Sequence, residues 1–264
     1  MYSANPKDVM ALRKATGVGM MDAKKALEAN NGDMPAATQW LRVQGLASAA
    51  KRADREAGEG AVAVVRNGNV AAIVEMRCET DFVAKSDEFT SLVDEMAARV
   101  CADGEGAVAQ FQESIETMLT TLKENISVGR VYRLEAGEGE VVETYNHIQA
   151  GRGVNAVAVV VKGGGEELAH EITVHIAFAK PQYLAREDVP AADVDAERTT
   201  VEEISVNEGK PAAALPKIIE GRLNGWFKER VLLEQSYVKD EKQSIAQFLG
   251  SATITAYAQV VIGG

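Results

Sequence analysis

Along the first 45 residues apolar side chains recur at helical spacing, interrupted by residues that start and stop helices. Asn5 before Pro6 marks a start, because the Asn side chain accepts from a free backbone N–H and proline has none to leave unpaired. Gly17 ends this first helix. Ala23, Ala26 and Leu27 share a face of a second, Met21 to Ala29, closed by Asn30-Asn31-Gly32. Asp33 caps a third, which turns Ala37, Trp40 and Leu41 inward and ends near Gly45. An Ala-rich, charged connector runs from Ala47 to Gly60, so residues 1–55 are predicted to form a three-helix domain.

Beyond Gly60 the period changes to that of strands. Ala61 to Val65 and Val70 to Cys78 flank Arg66-Asn67-Gly68-Asn69, the composition of a tight hairpin turn. The loop Glu79-Thr80-Asp81-Phe82-Val83-Ala84-Lys85-Ser86 leads into a helix with Phe89, Leu92, Val93, Met96, Ala97 and Val100 on one face. Ala156 to Val160 then repeats Ala61 to Val65 letter for letter as AVAVV. A hairpin turn, Gly163-Gly164-Gly165, and a helical face of Leu168, Ile172, His175, Ile176 and Ala179 come after it. Either an α+β subdomain is duplicated here, or small apolar residues recur by chance.

Two further helical patterns fill roughly 193–230, separated by Gly209-Lys210-Pro211. Val194, Val201 and Ile204 mark one inward stripe and Leu215, Ile218, Ile219, Leu223 and Phe227 the other, a helical hairpin. A short helix near Ser244 to Leu249 and an alternating strand, Thr253 to Ile262, close the pattern. The expected core is thus antiparallel α+β, with one subdomain over 56–147 and a second over 148–264 that carries the hairpin.

Composition narrows the function. A formal charge of −11, from 28 Lys and Arg against 39 Asp and Glu, disfavours a protein that grips nucleic-acid phosphates. The two cysteines, Cys78 and Cys101, form no CxxC pair, which argues against a disulfide framework or cysteine zinc site and fits a reducing compartment. With no secretory pattern at Met1 to Pro6 and no apolar run of about 18–20 residues, a cytoplasmic location away from membranes is expected.

Catalytic motifs are missing. His170 and His175 stand five apart, not four, and on a helix they diverge by about 140°, so they do not converge on zinc. No phosphate loop occurs, Gly151-Arg152-Gly153 is too short for a dinucleotide fingerprint, and no nucleophile elbow is present. No metal or cofactor is expected, and the chain reads as one that works by contact.

Two segments invite a partner. Thr16-Gly17-Val18-Gly19-Met20-Met21 sets consecutive methionines in a loop, where they either plug the small core or meet another protein. Thr80, Asp81, Phe82 and Val83 put a carboxylate beside a phenyl ring; either Phe82 packs inward while Asp81 caps the next turn, or both face a partner.

The run from Leu12 to Leu27, with Arg13 and Thr16-Gly17-Val18-Gly19-Met20-Met21-Asp22-Ala23, resembles the N-terminal signature of the elongation factor Ts family. Cys78-Glu79-Thr80-Asp81-Phe82-Val83-Ala84 resembles its second signature. His175-Ile176-Ala177, Pro181-Gln182-Tyr183-Leu184 and Lys217 to Leu223 resemble later segments in the same order. Arg77 stands where the family often has Asn, and Lys85-Ser86 where Arg-Asn is common. The resemblance implies a ubiquitin-associated-like N-terminal domain, two related core subdomains and an antiparallel helical hairpin. It implies no enzyme but guanine-nucleotide exchange on elongation factor Tu. Thr80, Asp81, Phe82 and Val83 would dislocate the partner's magnesium, while Arg13, Met20, Met21 and His147 make further contacts. His147 is expected just before the second core sheet, and the core or hairpin offers a route to a homodimeric complex. A non-catalytic adaptor or assembly subunit is the alternative reading.

Overall fold

A computed structural model describes residues 2–263 of the chain. Three helices come first: α1 (Pro6–Thr16), α2 (Met20–Ala29) and α3 (Met34–Ala50). The Asn5 side chain accepts from the Lys7 N–H and Asp33 from that of Ala36, the capping expected at both starts. Val9, Leu12, Val18, Ala23, Ala26, Leu27, Ala37 and Leu41 make this unit's own small core.

Gly45 does not end α3. A side chain there would lie 2.4 Å from Thr120 Cγ2, so the glycine is a point of close helix approach, and the helix runs on to Ala50. Thr120 belongs to α6, which is reached through β1 (Glu59–Asn67), β2 (Val70–Cys78), α4 (Asp81–Ala84) and α5 (Asp87–Asp103). α6 covers Gln112–Thr121, and β3 (Ser127–Glu135) completes a three-stranded antiparallel sheet in the order β1-β2-β3.

The second sheet has the order β4-β5-β8, from β4 (Glu140–Gln149), β5 (Arg152–Lys162) and β8 (Thr253–Val261). Between β5 and β8 run α7 (Gly165–Ala179), α8 (Ala191–Asn207), α9 (Leu215–Arg230), the small ribbon β6 (Ser236–Tyr237) and β7 (Asp240–Ser244), and α10 (Ile245–Leu249). β4 spans Glu140–Gln149, so the subdomain boundary expected at 147/148 falls inside this strand. Gly163-Gly164-Gly165 is not a hairpin turn; it joins β5 to α7.

Period-two alternation builds four layers. Ala72, Val74, Met76 and Cys78 of β2 face α5 and α6, whereas Ala71 and Ile73 face the second sheet. In β5, Val157, Val159 and Val161 face α7 and Ala156, Ala158 and Val160 face the first sheet. Both sheets therefore share an inner layer rich in alanine, with a helical layer outside each.

The duplicated plan is visible as hairpin, helix, then third strand, but the AVAVV pentamers are not its equivalent parts. One lies in edge strand β1 and the other in central strand β5. Their alanines also point oppositely: Ala61 and Ala63 toward α5, Ala156 and Ala158 between the sheets. A strand buried on both faces accepts either phase, so letter identity does not report the repeat.

In the helical hairpin α8–α9, Val201, Ile219 and Leu223 form the seam. Ile204, expected inward, is exposed; its neighbour Ser205 takes the buried position and donates to Val201 O at 2.6 Å. The seam follows the i, i+4 row through Val201 and Ser205, a polar position that hydropathy alone passes over.

Candidate functional site

Central strand β2 ends at buried Cys78, and the chain turns at once into the single helical turn α4. Thr80 is its N-cap, with Oγ1 accepting from the Val83 N–H at 3.4 Å. Ser86 closes it, donating from Oγ to Val83 O at 2.8 Å while capping α5 through the Phe89 N–H. Ala84 is fully buried and Val83 packs against the α5 core, so the lower side of the turn is fixed.

The upper side is not packed. Phe82 is 83% exposed, the most open large apolar side chain among the described residues. Leaving such a ring in water forgoes roughly 1.5–3 kcal/mol that burial would supply. Asp81 next to it does not cap the turn, since Thr80 does. Its carboxylate accepts from Lys85 Nζ at 2.5 Å, and that bond holds the Asp81 carboxyl below its ordinary range. Of the two arrangements open in the sequence, the ring and the carboxylate both face outward.

Three side chains grip the turn from behind. Glu124, between α6 and β3, accepts from the Glu79 and Thr80 backbone N–H groups, each at 3.1 Å, and from Thr80 Oγ1 at 2.5 Å. Glu79 accepts in return from the Asn125 N–H at 2.7 Å. The Cys78 thiol lies 3.2 Å from Thr80 O; burial, with the Glu124 charge adding to it, pushes its pKa up to about 12, so it stays a neutral donor. No sequence signal marked Glu124, because its partners Glu79 and Thr80 lie 45 and 44 positions away.

A second exposed set sits on the N-terminal unit. Gly17 terminates α1 and Val18 tucks into the core, which leaves Met20 and Met21 at the start of α2 exposed at 49% and 62%. They do not plug the core. Met10 on α1 is exposed too, and Arg13 lies with it on the outer side of α1, where it lines a shallow surface depression with Met10, Lys14 and Gly17. Nothing in the sequence pattern sets Met10 apart.

His147 lies within the second sheet rather than before it, in β4 opposite Asn155 and next to a bulge. It lines a groove with Phe178 and Lys180, and Phe178, which the helical pattern does not single out, is 78% exposed. The residues singled out in the sequence thus lie in three places: the α4 turn, the α1–α2 corner and the β4 groove. His175, by contrast, is wholly buried, and His170 is exposed. No group of three or more potential metal ligands occurs among the described residues. None of their helices is long and apolar enough to cross a membrane.

The family model described as Elongation factor TS matches residues 79–263, from the α4 turn to β8. The chain belongs to the elongation factor Ts family. Curated relatives named Elongation factor Ts are similar along the whole chain: that of Clavibacter michiganensis is 45% identical over 277 residues, covering 100% of both chains. Those of Leifsonia xyli and Kineococcus radiotolerans are 43% and 40% identical, again covering 100% of each. Membership of the elongation factor Ts family makes this a factor of translation elongation that works with a protein partner.

Proposed function

We propose that the chain is a guanine-nucleotide exchange factor for elongation factor Tu, acting in the cytoplasm by contact and without making or breaking a covalent bond. The observation that carries this reading is the exposure of Phe82 on a turn whose base is immobilised. A solvated ring on a turn whose base is held by hydrogen bonds enters an apolar gap in a partner with little backbone ordering, giving up only its own rotamer freedom.

In that complex Phe82 inserts and Asp81 approaches the magnesium and phosphate region of elongation factor Tu, with Thr80 and Val83 fixing the turn. Magnesium requires near-octahedral oxygen geometry at about 2.0–2.1 Å, so a shift of about 1 Å in a ligand or bound water weakens its hold. The phosphates then lose their counter-charge and GDP leaves. Burial of Phe82 supplies roughly 1.5–3 kcal/mol, and each ~1.4 kcal/mol of coupling changes nucleotide affinity tenfold. One ring accounts for about a hundredfold at most; Arg13, Met20, Met21 and His147 extend the interface. Linkage is reciprocal, so rebinding of nucleotide expels the factor and makes it reusable.

The test is release of fluorescent GDP from purified elongation factor Tu. Asp81→Ala combined with Phe82→Ala is expected to fold normally and to slow stimulated release by at least about tenfold. Release at the wild-type rate would remove the turn from the mechanism.

A further inference from the structure

Taking the exchange role proposed above as given, we infer that Glu124 is a positioning residue for the Asp81–Phe82 turn, the group through which the wedge is held at its working angle. The side chain hydrogen-bonds to neither Asp81 nor Phe82. It acts on the residues that launch them. One carboxylate oxygen takes both free N–H groups of Glu79 and Thr80, and the other takes the Thr80 hydroxyl proton. That proton assignment leaves the Thr80 oxygen free to accept from the Val83 N–H, the bond that caps α4. An ionised carboxylate accepts through both oxygens at once, so it suits a site that presents only donors.

The mount beneath Glu124 is itself fixed. Lys123 adopts a left-handed backbone, φ 60, uncommon for a residue with a side chain, and its ammonium lies 2.8 Å from Asp22 of α2. Asn125 donates from Nδ2 to the carbonyls of Ala53 and Arg55 at 3.1 and 2.7 Å, and from its backbone N–H to Glu79. Three consecutive residues therefore tie the wedge to the N-terminal unit that carries Met20 and Met21 and to the connector behind it. A strained residue over-determined on both sides is how structures hold a loop to a fixed geometry.

Two measurements on the full-length protein test this. In the free protein, Glu124→Ala is expected to speed hydrogen exchange at the Glu79, Thr80 and Val83 amides while the amides of β1 and β2 keep their protection. In the assay with elongation factor Tu and fluorescent GDP, the same variant is expected to lower the maximal release rate about tenfold, leaving the half-saturating concentration within about twofold. Glu124→Gln keeps one acceptor oxygen for the two backbone N–H groups but loses the second, and should recover part of the rate. Added to the Asp81→Ala/Phe82→Ala variant, Glu124→Ala should cause no further loss, because it acts through those two side chains.

Unchanged amide exchange would overturn the proposal whatever the partner does. So would losses that multiply when Glu124→Ala is added to Asp81→Ala/Phe82→Ala, the mark of a general structural defect. If instead the amides loosen while Phe82→Ala leaves stimulated release at the wild-type rate, Glu124 holds the turn but the ring takes no part in release and the positioning role fails; a wild-type chain that does not speed GDP release at all would overturn the exchange reading itself.

Discussion

Arg130 binds Glu75 through three hydrogen bonds: its backbone N–H and Nε donate to Oε2 at 2.9 and 2.8 Å, and Nη2 donates to Oε1 at 2.9 Å. The same Nη2 donates to Val261 O at 2.8 Å, so one guanidinium joins the first sheet to β8 of the second. Gly129 and Arg130 stand opposite the single residue Glu75 at an irregularity in the β2–β3 ladder, and a side chain at Gly129 would lie 2.4 Å from Glu75 Oε2.

Burial by itself would raise the Glu75 carboxyl, but the bonds from Arg130 and Arg77 outweigh it and hold the pKa at about 2, below the ordinary 4.5. A carboxylate with a folded pKa below its unfolded one stabilises fully above the unfolded value and loses that contribution as pH falls toward the folded one. Stability should therefore drop by on the order of 3 kcal/mol between about pH 5 and pH 2. Glu75→Gln should cost roughly 3 kcal/mol at neutral pH, the lower end for a broken buried pair because Arg130 is partly exposed, and should flatten the acid dependence. Urea unfolding of both proteins across that range checks the size and the sign.

His175 Nε2 lies 3.0 Å from Gln235 Oε1, and the Gln235 amide nitrogen donates to Glu229 O at 3.0 Å. The glutamine links α7 to the end of α9 and requires a proton on Nε2. Burial lowers the His175 pKa below its ordinary 6.5, against the opposing effect of Gln235. Protonation thus favours the unfolded chain: stability is complete above about 6.5 and declines as pH falls below it. His175→Leu should remove this component, seen as a shallower fall in urea midpoint between about pH 7.5 and 5.5.

Gly45→Ala tests the docking of α3 on α6. Helix propensity favours alanine by about 1 kcal/mol, yet the added methyl meets Thr120 at 2.4–3.0 Å, and such overpacking costs typically about 1–3 kcal/mol. A lower melting temperature is expected, with partial recovery in Gly45→Ala/Thr120→Ala, which removes the two nearest atoms. A rise in melting temperature for the single variant would mean that the helices separate freely.

Lys85→Met should release Asp81. With the ammonium gone, the Asp81 carboxyl should return upward toward its ordinary 3.8, a change readable by carbon NMR titration of the free protein. An unmoved titration would show that Lys85 does not hold the carboxylate in solution.

Helix starts, the β1–β2 hairpin and the α5 face were legible in the sequence because each is set by neighbours a few positions apart. Asn5 and Asp33 cap the helices they precede, and Phe89, Met96 and Val100 share a face at helical spacing. The α4 turn was legible as a segment but not as an arrangement. Whether Phe82 faces in or out depends on the surfaces beneath Ala84 and behind Thr80, and those partners come from α5 and from Glu124.

By itself the sequence determined the local elements and the family, since both rest on residue identities in order along the chain. Only the tertiary structure decided the rest. It turned Gly45 from a helix stop into a contact, put the two AVAVV strands in opposite phase, moved His147 into β4, and joined Thr80 to a carboxylate 44 positions away. The reason is physical. Caps, turns and amphipathic periods are short-range, whereas exposure, close approach and long-range hydrogen bonding depend on which distant surfaces the fold brings together.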